Sequence, residues 1–392
     1  MSFVHEQKTN IAVPRVGLVL TGGGARAAYQ VGVLRAIVEL LPDKTRNPFP
    51  VICGTSAGAI NATSIAVSAN NFAEGVAQLE SVWSNFHVDQ IYRSDFMGVI
   101  HNTLRCLISL VSSEYGQHNA ISLLDNSPLE ILLKNRFPFR SIQHGIHSGA
   151  LHALGITAWG YTSGQSITFF QAAKEVTPWK RAQRLGIAAN IGTEHLMASS
   201  SIPFIFPAVK LNREYFGDGS MRQFTPISPA LHLGADKVLI IGVRKAIIDE
   251  PKRVSVTGYP PFAQIAGHAL NSIFVDSLDI DLERLLRINE TLKLIPPEVY
   301  KERNIVLRPV EAMMISPSKG INEIAQQYAQ TLPWIMRYLF RAIGATGPNG
   351  STLLSYVLFE ASFCQALIEL GYNDTVQQKD ELLKFIGVQE TG

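Results

Sequence analysis

Gly54-Thr55-Ser56-Ala57-Gly58 has residue types and spacing that could do chemistry. A serine between two glycines at this spacing has the form of a nucleophile elbow, a tight turn that presents a hydroxyl to an acyl carbonyl. At ordinary glycine and serine frequencies about one chain in six of this length carries such a pentapeptide by accident. Its surroundings therefore decide. Pro50-Val51-Ile52-Cys53 ahead of it reads as a short strand, and Ala59 to Ala69 behind it as a packed helix, which is the setting an elbow requires. Gly54 and Gly58 let strand and helix pass close together, and the helix N-terminus favours negative charge at Ser56. A serine N-cap between two glycines would explain the same residues with no chemistry at all.

Acyl transfer also needs donors aimed at a tetrahedral oxyanion. Gly22-Gly23-Gly24, one residue after the strand-like run Arg15 to Leu20, offers consecutive backbone N–H groups without side chains, and Arg26 adds a positive charge nearby. The same residues, as Gly22-x-Gly24-x-x-Ala27, approximate a dinucleotide-binding fingerprint. That alternative asks for an acid near the end of the second strand, about 20 residues on. Asp43 has the spacing but precedes the second strand, so the dinucleotide reading loses most of its support and stays as the lesser alternative. No glycine is followed by Lys and then Ser or Thr, which excludes a P-loop.

Tyr215-Phe216-Gly217-Asp218-Gly219-Ser220 reads as an ordinary turn rich in glycine and aspartate. A glycine on each side would also let the chain bring the Asp218 carboxylate close to another backbone, as a base beside Ser56 requires. His232 and His268 follow Asp218 in the chain order of a serine, acid and histidine triad, which keeps a histidine base as an alternative. His144, His147 and His152 cluster without a carboxylate or cysteine at ligand spacing, so they read as loop histidines and no metal site is expected.

Taken in order, Gly22-Gly23-Gly24-Ala25-Arg26, then Gly54 to Gly58, then Asp218-Gly219-Ser220 resemble the motif set of the patatin-like phospholipases, over Val16 to Val243. The resemblance implies a three-layer α/β/α hydrolase with no cofactor, acting on acyl esters of phospholipids or lysophospholipids. It makes Ser56 and Asp218 a catalytic dyad working through an acyl-enzyme, and Gly22, Gly23, Gly24 and Arg26 the oxyanion hole. Two positions depart from the pattern: Ala27 where bacterial members often have glycine, and Ser220 where glycine or alanine is usual. Neither removes a reacting atom, but Ser220 bears on how Asp218 is held. A weakly active lipid-binding or regulatory protein on the same scaffold is the second functional class.

The elements that must position these residues follow from the hydrophobic pattern. Strand, glycine loop, helix, strand, elbow and helix form a βαβα unit, which predicts a parallel sheet with helices on its faces. Leu154 to Thr162 and Ser166 to Gln171 predict a hairpin, and Lys237 to Val243 another strand of the central sheet. Pro261 to Leu294 predicts a long amphipathic helix or two, and Asn304 to Val310 the last strand. The organisation is a tail at residues 1–14, a catalytic domain at 15–317 with a helical insertion at about 71–149, and a helical C-terminal region at 318–392.

Lys and Arg total 34 against 32 acids, so the net charge of +2 excludes the basic footprint of a nucleic-acid binder. Three cysteines, Cys53, Cys106 and Cys364, make neither a disulfide framework nor a zinc spacing and suit a reducing compartment. With no signal peptide and no stretch of about 18 apolar residues, a cytoplasmic protein in peripheral contact with the inner face of the membrane is expected, its oligomeric state left open. The candidate contact surfaces are the apolar stripe Val99 to Val111 and Leu332 to Arg341, where Trp334, Tyr338 and Phe340 accompany two arginines.

Overall fold

The computed structural model describes residues 14–93, 122–245, 276–296, 307–345 and 350–388, with 264, 265, 267 and 299. The first thirteen residues, the Val99 to Val111 stripe, Cys106 and His268 lie outside the described residues.

Five parallel strands form one half of a mixed sheet, in the order β10 (Glu311–Ile315), β9 (Lys237–Ile241), β1 (Val16–Leu20), β2 (Val51–Thr55) and β3 (Ala153–Gly160). Every residue of β1 and β2 is buried, as near-continuous apolar strands covered on both faces should be. The predicted hairpin joins β3 to antiparallel β4 (Ser166–Ala172). Beyond it lie β6 (Arg184–Ala188) and β5 (Trp179–Arg181), while β7 (Val209–Leu211) pairs with β8 (Glu214–Asp218), which pairs in turn with β3.

Side-chain alternation assigns the two faces. Leu18, Leu20, Ile52 and Ile156 point to one core, built with α1 (Ala28–Leu40), α2 (Ala57–Val67), α3 (Phe72–Trp83), α4 (Ser127–Arg136), α5 (Arg140–Ser148) and α6 (Thr193–Ser199). Val19, Val51, Cys53, Val238 and Ile240 point to the other, under α7 (Ser228–His232) and α8 (Asp276–Lys293). The outcome is the α/β/α arrangement expected. In α8 the residues Leu278, Leu285 and Leu292 are buried at heptad spacing, while Ile280 and Leu286 face solvent.

One strand sits later than the sequence pattern suggested. The final strand is Glu311–Ile315 and not Asn304 to Val310, of which residues 307–310 pair with no strand. Pro309 supplies the reason: it has no N–H to give to a ladder, so the ladder opens only beyond it. Asn289 instead takes up Val310, accepting its amide at 3.0 Å and donating to its carbonyl at 2.7 Å.

The C-terminal region is helical, with α9 (Ile321–Tyr328), α10 (Trp334–Ala342), α11 (Ser351–Val357), α12 (Ala361–Gln377) and α13 (Lys379–Ile386). It shares the first core, contributing Leu354, Tyr356, Phe363 and Leu367. Helix α12 lies directly on α1, and the Tyr29 hydroxyl donates to Asp374 Oδ2 at 3.0 Å between them. No single described helix is long and apolar enough to cross a membrane. The pair α11 and α12 is apolar enough together, but it is bent by 96° and its apolar side chains largely fill this core.

Candidate active site

Ser56 joins the end of β2 to the start of α2 with φ 56° and ψ −130°, a conformation that costs a non-glycine residue on the order of 1–3 kcal/mol. Neighbours hold it there. Its amide donates to Ser199 Oγ at 2.8 Å, and that hydroxyl donates to the Thr157 carbonyl of β3 at 2.6 Å. A Cβ on Gly58 would collide with the carbonyl oxygens of Leu20 and Thr21, and one on Gly54 with the carbonyl of Gly58. The two glycines thus seat α2 against the end of β1, where the Gly22 to Gly24 loop begins. Ser56 is 1% exposed.

Asp218 reaches Ser56 because β3 is longer than β2. Thr55, the last residue of β2, pairs with Thr157. From Ala158 onward the same edge of β3 is taken by β8, running antiparallel, with Asp218 opposite Ala158. The last residue of β8 therefore abuts the residue after the end of β2. The Asp218 amide donates to the Ser201 carbonyl at 2.9 Å, and its Oδ1 accepts the Ser220 amide at 2.9 Å. Its Oδ2 is buried without an aligned hydrogen bond in this resting geometry, although the Ser56 hydroxyl stands near enough to influence its titration. Burial pushes the carboxyl up to about 7, against the pull of the Ser56 hydroxyl and of the Ser220 amide and hydroxyl.

The glycine loop runs alongside. Gly24, at φ 54°, opens onto the same pocket as Ser56, whereas Gly23 backs onto Val243. Ala27 is fully buried, and its carbonyl accepts from Asn61 Nδ2 at 3.1 Å. The Arg26 guanidinium is committed to the C-terminal helices, donating to Ser355 Oγ and to Asn322 Oδ1, each at 2.8 Å. The sequence placed Arg26 beside the glycines as a positive charge; the structure keeps it there, buried and hydrogen-bonded to the C-terminal helices.

From Ser56 a pocket of about 840 Å³, including its open mouth, extends along α2. Ile60, Ser64 and Val67 follow Ser56 along one side of that helix, a length of about 16 Å at 1.5 Å per residue. Leu79, Trp83, Leu133 and Phe137 close over it, with exposed Gln78 and Arg136 at its rim. Its walls are mainly apolar, so it suits a hydrocarbon chain.

Several supporting residues carried no clear sequence signal. Ser199 and Ser201 bracket the backbones of Ser56 and Asp218, and their only trace is the small, polar run Ala198-Ser199-Ser200-Ser201. Gln223 accepts from Thr55 Oγ1 at 2.7 Å and donates to Thr157 Oγ1 at 3.4 Å. His232 is not brought to Ser56. It stacks on Trp179 with 4.9 Å between ring centroids, on the opposite face of the sheet, where burial and Arg181 and Arg184 push it down to about 4. His144 and His147 lie on α5, and His152 precedes β3 near Glu175. Among the described residues no three His, Cys, Asp or Glu side chains are placed to hold a metal ion. Cys53 and Cys364 are buried and unpaired, and burial pushes both thiols up.

Comparison with known proteins matches residues 18–231 to the family described as "Patatin-like phospholipase". No match was found among curated proteins. Among solved structures, VipD from Legionella pneumophila aligns with a TM-score of 0.39 at 12% identity, covering 94% of this chain and 67% of that one, a likeness too distant to bear on the site. The family match spans more than half of the chain and includes the glycine loop, the elbow and Asp218. The chain belongs to the patatin-like phospholipase family.

Proposed function

We propose that the protein is a serine acyl hydrolase that cleaves the fatty-acyl esters of phospholipids or lysophospholipids, with Ser56 as nucleophile and Asp218 as its base. One arrangement carries the reading: a fully buried carboxyl beside a serine on a strained turn at one end of an apolar pocket. Family membership supports lipid acyl hydrolysis as the general activity. A carboxyl raised toward neutrality is a better match to a hydroxyl proton than an ordinary aspartate.

In this mechanism Ser56 Oγ adds to the ester carbonyl as its proton passes to Asp218. The oxygen that becomes negative is met by backbone N–H groups of the Gly22 to Gly24 loop and of Ala57 at the start of α2. Collapse breaks the ester C–O bond, and the leaving alcohol takes the proton from Asp218. Water, giving its proton to Asp218, then attacks the acyl group on Ser56, and release of the fatty acid returns a proton to Ser56. The pocket along α2 holds the acyl tail. A cytoplasmic setting and peripheral membrane contact belong to the same proposal, supported by the buried free cysteines and by the exposed face of α10.

Treatment with a fluorophosphonate followed by peptide mass analysis tests the reading. Ser56 is expected to carry the label, and Ser56→Ala to lose both labelling and fatty-acid release while keeping its melting temperature. A wild-type chain that binds lipid yet neither reacts nor hydrolyses would support the weakly active scaffold instead.

A further inference from the structure

We propose that Arg26 is a positioning residue that clamps the glycine loop to α9 and α11, so that the C-terminal helices form part of the oxyanion machinery. The inference rests on the hydrolase reading above and deepens it. Arg26 follows Gly22 to Gly24 in a 3₁₀ turn (Gly24–Ala27) and is 3% exposed. Its Nε donates to Ser355 Oγ at 2.8 Å, its Nη2 to Asn322 Oδ1 at 2.8 Å and to the Thr352 carbonyl at 3.4 Å, and its guanidinium lies 4.0 Å from the centre of the Tyr356 ring. These partners are tied to one another, since Ser355 Oγ donates to the Thr352 carbonyl at 2.7 Å and Asn322 Nδ2 to Thr352 Oγ1 at 3.1 Å. Together they recognise the planar fork of an arginine and not merely a positive charge.

The position makes little sense as a device for stability alone. Among the described residues Arg26 forms no ion pair and hydrogen-bonds only neutral groups, with Glu323 acting on it electrostatically, so burial of its charge is offset mainly by hydrogen bonds and costs more than burial of an apolar side chain would. What the fork does achieve is to fix the loop. Gly24 lies against the backbone of Tyr356, whose carbonyl would collide with any Cβ there, and Gly24 in turn lines the pocket beside Ser56. Phe359, just beyond α11, lines the pocket as well. The path from α9 and α11 through Arg26 and Tyr356 to Gly24 and the pocket beside Ser56 is continuous. Donors to an oxyanion work only if they are held in place before the charge develops.

The test compares Arg26→Lys, Arg26→Met, Ser355→Ala and Asn322→Ala in the full-length chain, reading kcat and KM on a short soluble ester, the rate of fluorophosphonate labelling, and thermal stability. A clamp predicts that Lys and Met lower kcat alike, by about 10²-fold, the scale of one lost oxyanion donor, with KM nearly unchanged. Ser355→Ala and Asn322→Ala should each lower kcat about tenfold and slow labelling in proportion. Arg26→Lys with wild-type kcat would show that charge alone suffices and would overturn the clamp. Should the Arg26 variants fail to fold, wild-type kcat in both Ser355→Ala and Asn322→Ala would overturn it equally. A wild-type chain that is never labelled at Ser56 would instead remove the hydrolase reading, and the clamp with it.

Discussion

Asp218 is held where a carboxylate is least comfortable, fully buried and short of partners on one oxygen. A raised carboxyl makes two opposite demands on pH. As a base it works only when ionised, so kcat/KM on a soluble ester is expected to climb through about pH 7 and then level off. Asp218→Asn should lower kcat by at least ~10²-fold, while His232→Ala, remote on its stack with Trp179, leaves kcat unchanged. For stability the sign reverses. The native carboxyl keeps its proton up to about 7, whereas in the unfolded chain it ionises near 3.8. Its contribution to stability is therefore fully present below about pH 4 and is lost as pH rises through 7. Asparagine carries no such dependence, so Asp218→Asn should gain melting temperature over wild type, by more at pH 8 than at pH 5. Three pKa units correspond to a few kcal/mol, about 1.4 each. An offset that is the same at both pH values would contradict the burial argument.

At the scale of elements, α10 shows how one amphipathic segment divides its aromatic residues. Met336 and Phe340 face the core at 0% and 2% exposure, while Trp334 and Tyr338 stand out at 66% and 76%. Arg337 and Arg341 share the outer face, and the helix carries no acidic residue. The sequence alone nominated Trp334 and Phe340 together for a membrane surface; the structure separates them. Trp334→Ser is expected to weaken binding to anionic vesicles and to lower hydrolysis there, yet to spare a short soluble ester. Phe340→Ser should instead destabilise the fold by roughly 3–5 kcal/mol, the range for truncating a buried aromatic. Equal losses of Trp334→Ser on both substrates would place the membrane contact elsewhere.

Across the whole molecule, the pocket draws its walls from segments far apart in the chain: α2, α3, α4, the loop containing Ile202 and Phe206, and Phe359 from the C-terminal region. If it holds the acyl tail as proposed, its length along α2 sets how much of the chain can lie beyond Ser56. Leu133→Trp, which adds bulk partway along, should shift preference toward shorter chains, measured as the ratio of kcat/KM for long over short esters in one head-group series. An unchanged ratio would mean that the tail lies outside this pocket. The same assembly explains why the C-terminal helices cannot be treated as an appendage, because α12 packs along α1 and α11 touches the glycine loop.

The candidate elbow was legible in the sequence because its residues are local. A strand, a Gly-x-Ser-x-Gly turn and a helix specify the elbow within about twenty residues, and the glycines on either side of Ser56 are demanded by the close approach of α2 to β2 and to the end of β1. The central strands were legible for the same reason, being short apolar runs with turn residues at their ends. The missed strand boundary at Pro309 and the divided face of α10 show the limit, since periodicity reports that a face is apolar and not what covers it. Asp218 beside Ser56 is 162 positions distant in the chain, and only the overhang of β3 past β2, filled by β8, brings them together. Ser199 and Gln223 have no motif, because a side chain that braces a backbone need only be small and polar. Arg26 makes the contrast plain: its place beside the glycines was visible, but its direction was settled by helices some 300 residues later, which offer a buried guanidinium the hydrogen bonds it cannot do without.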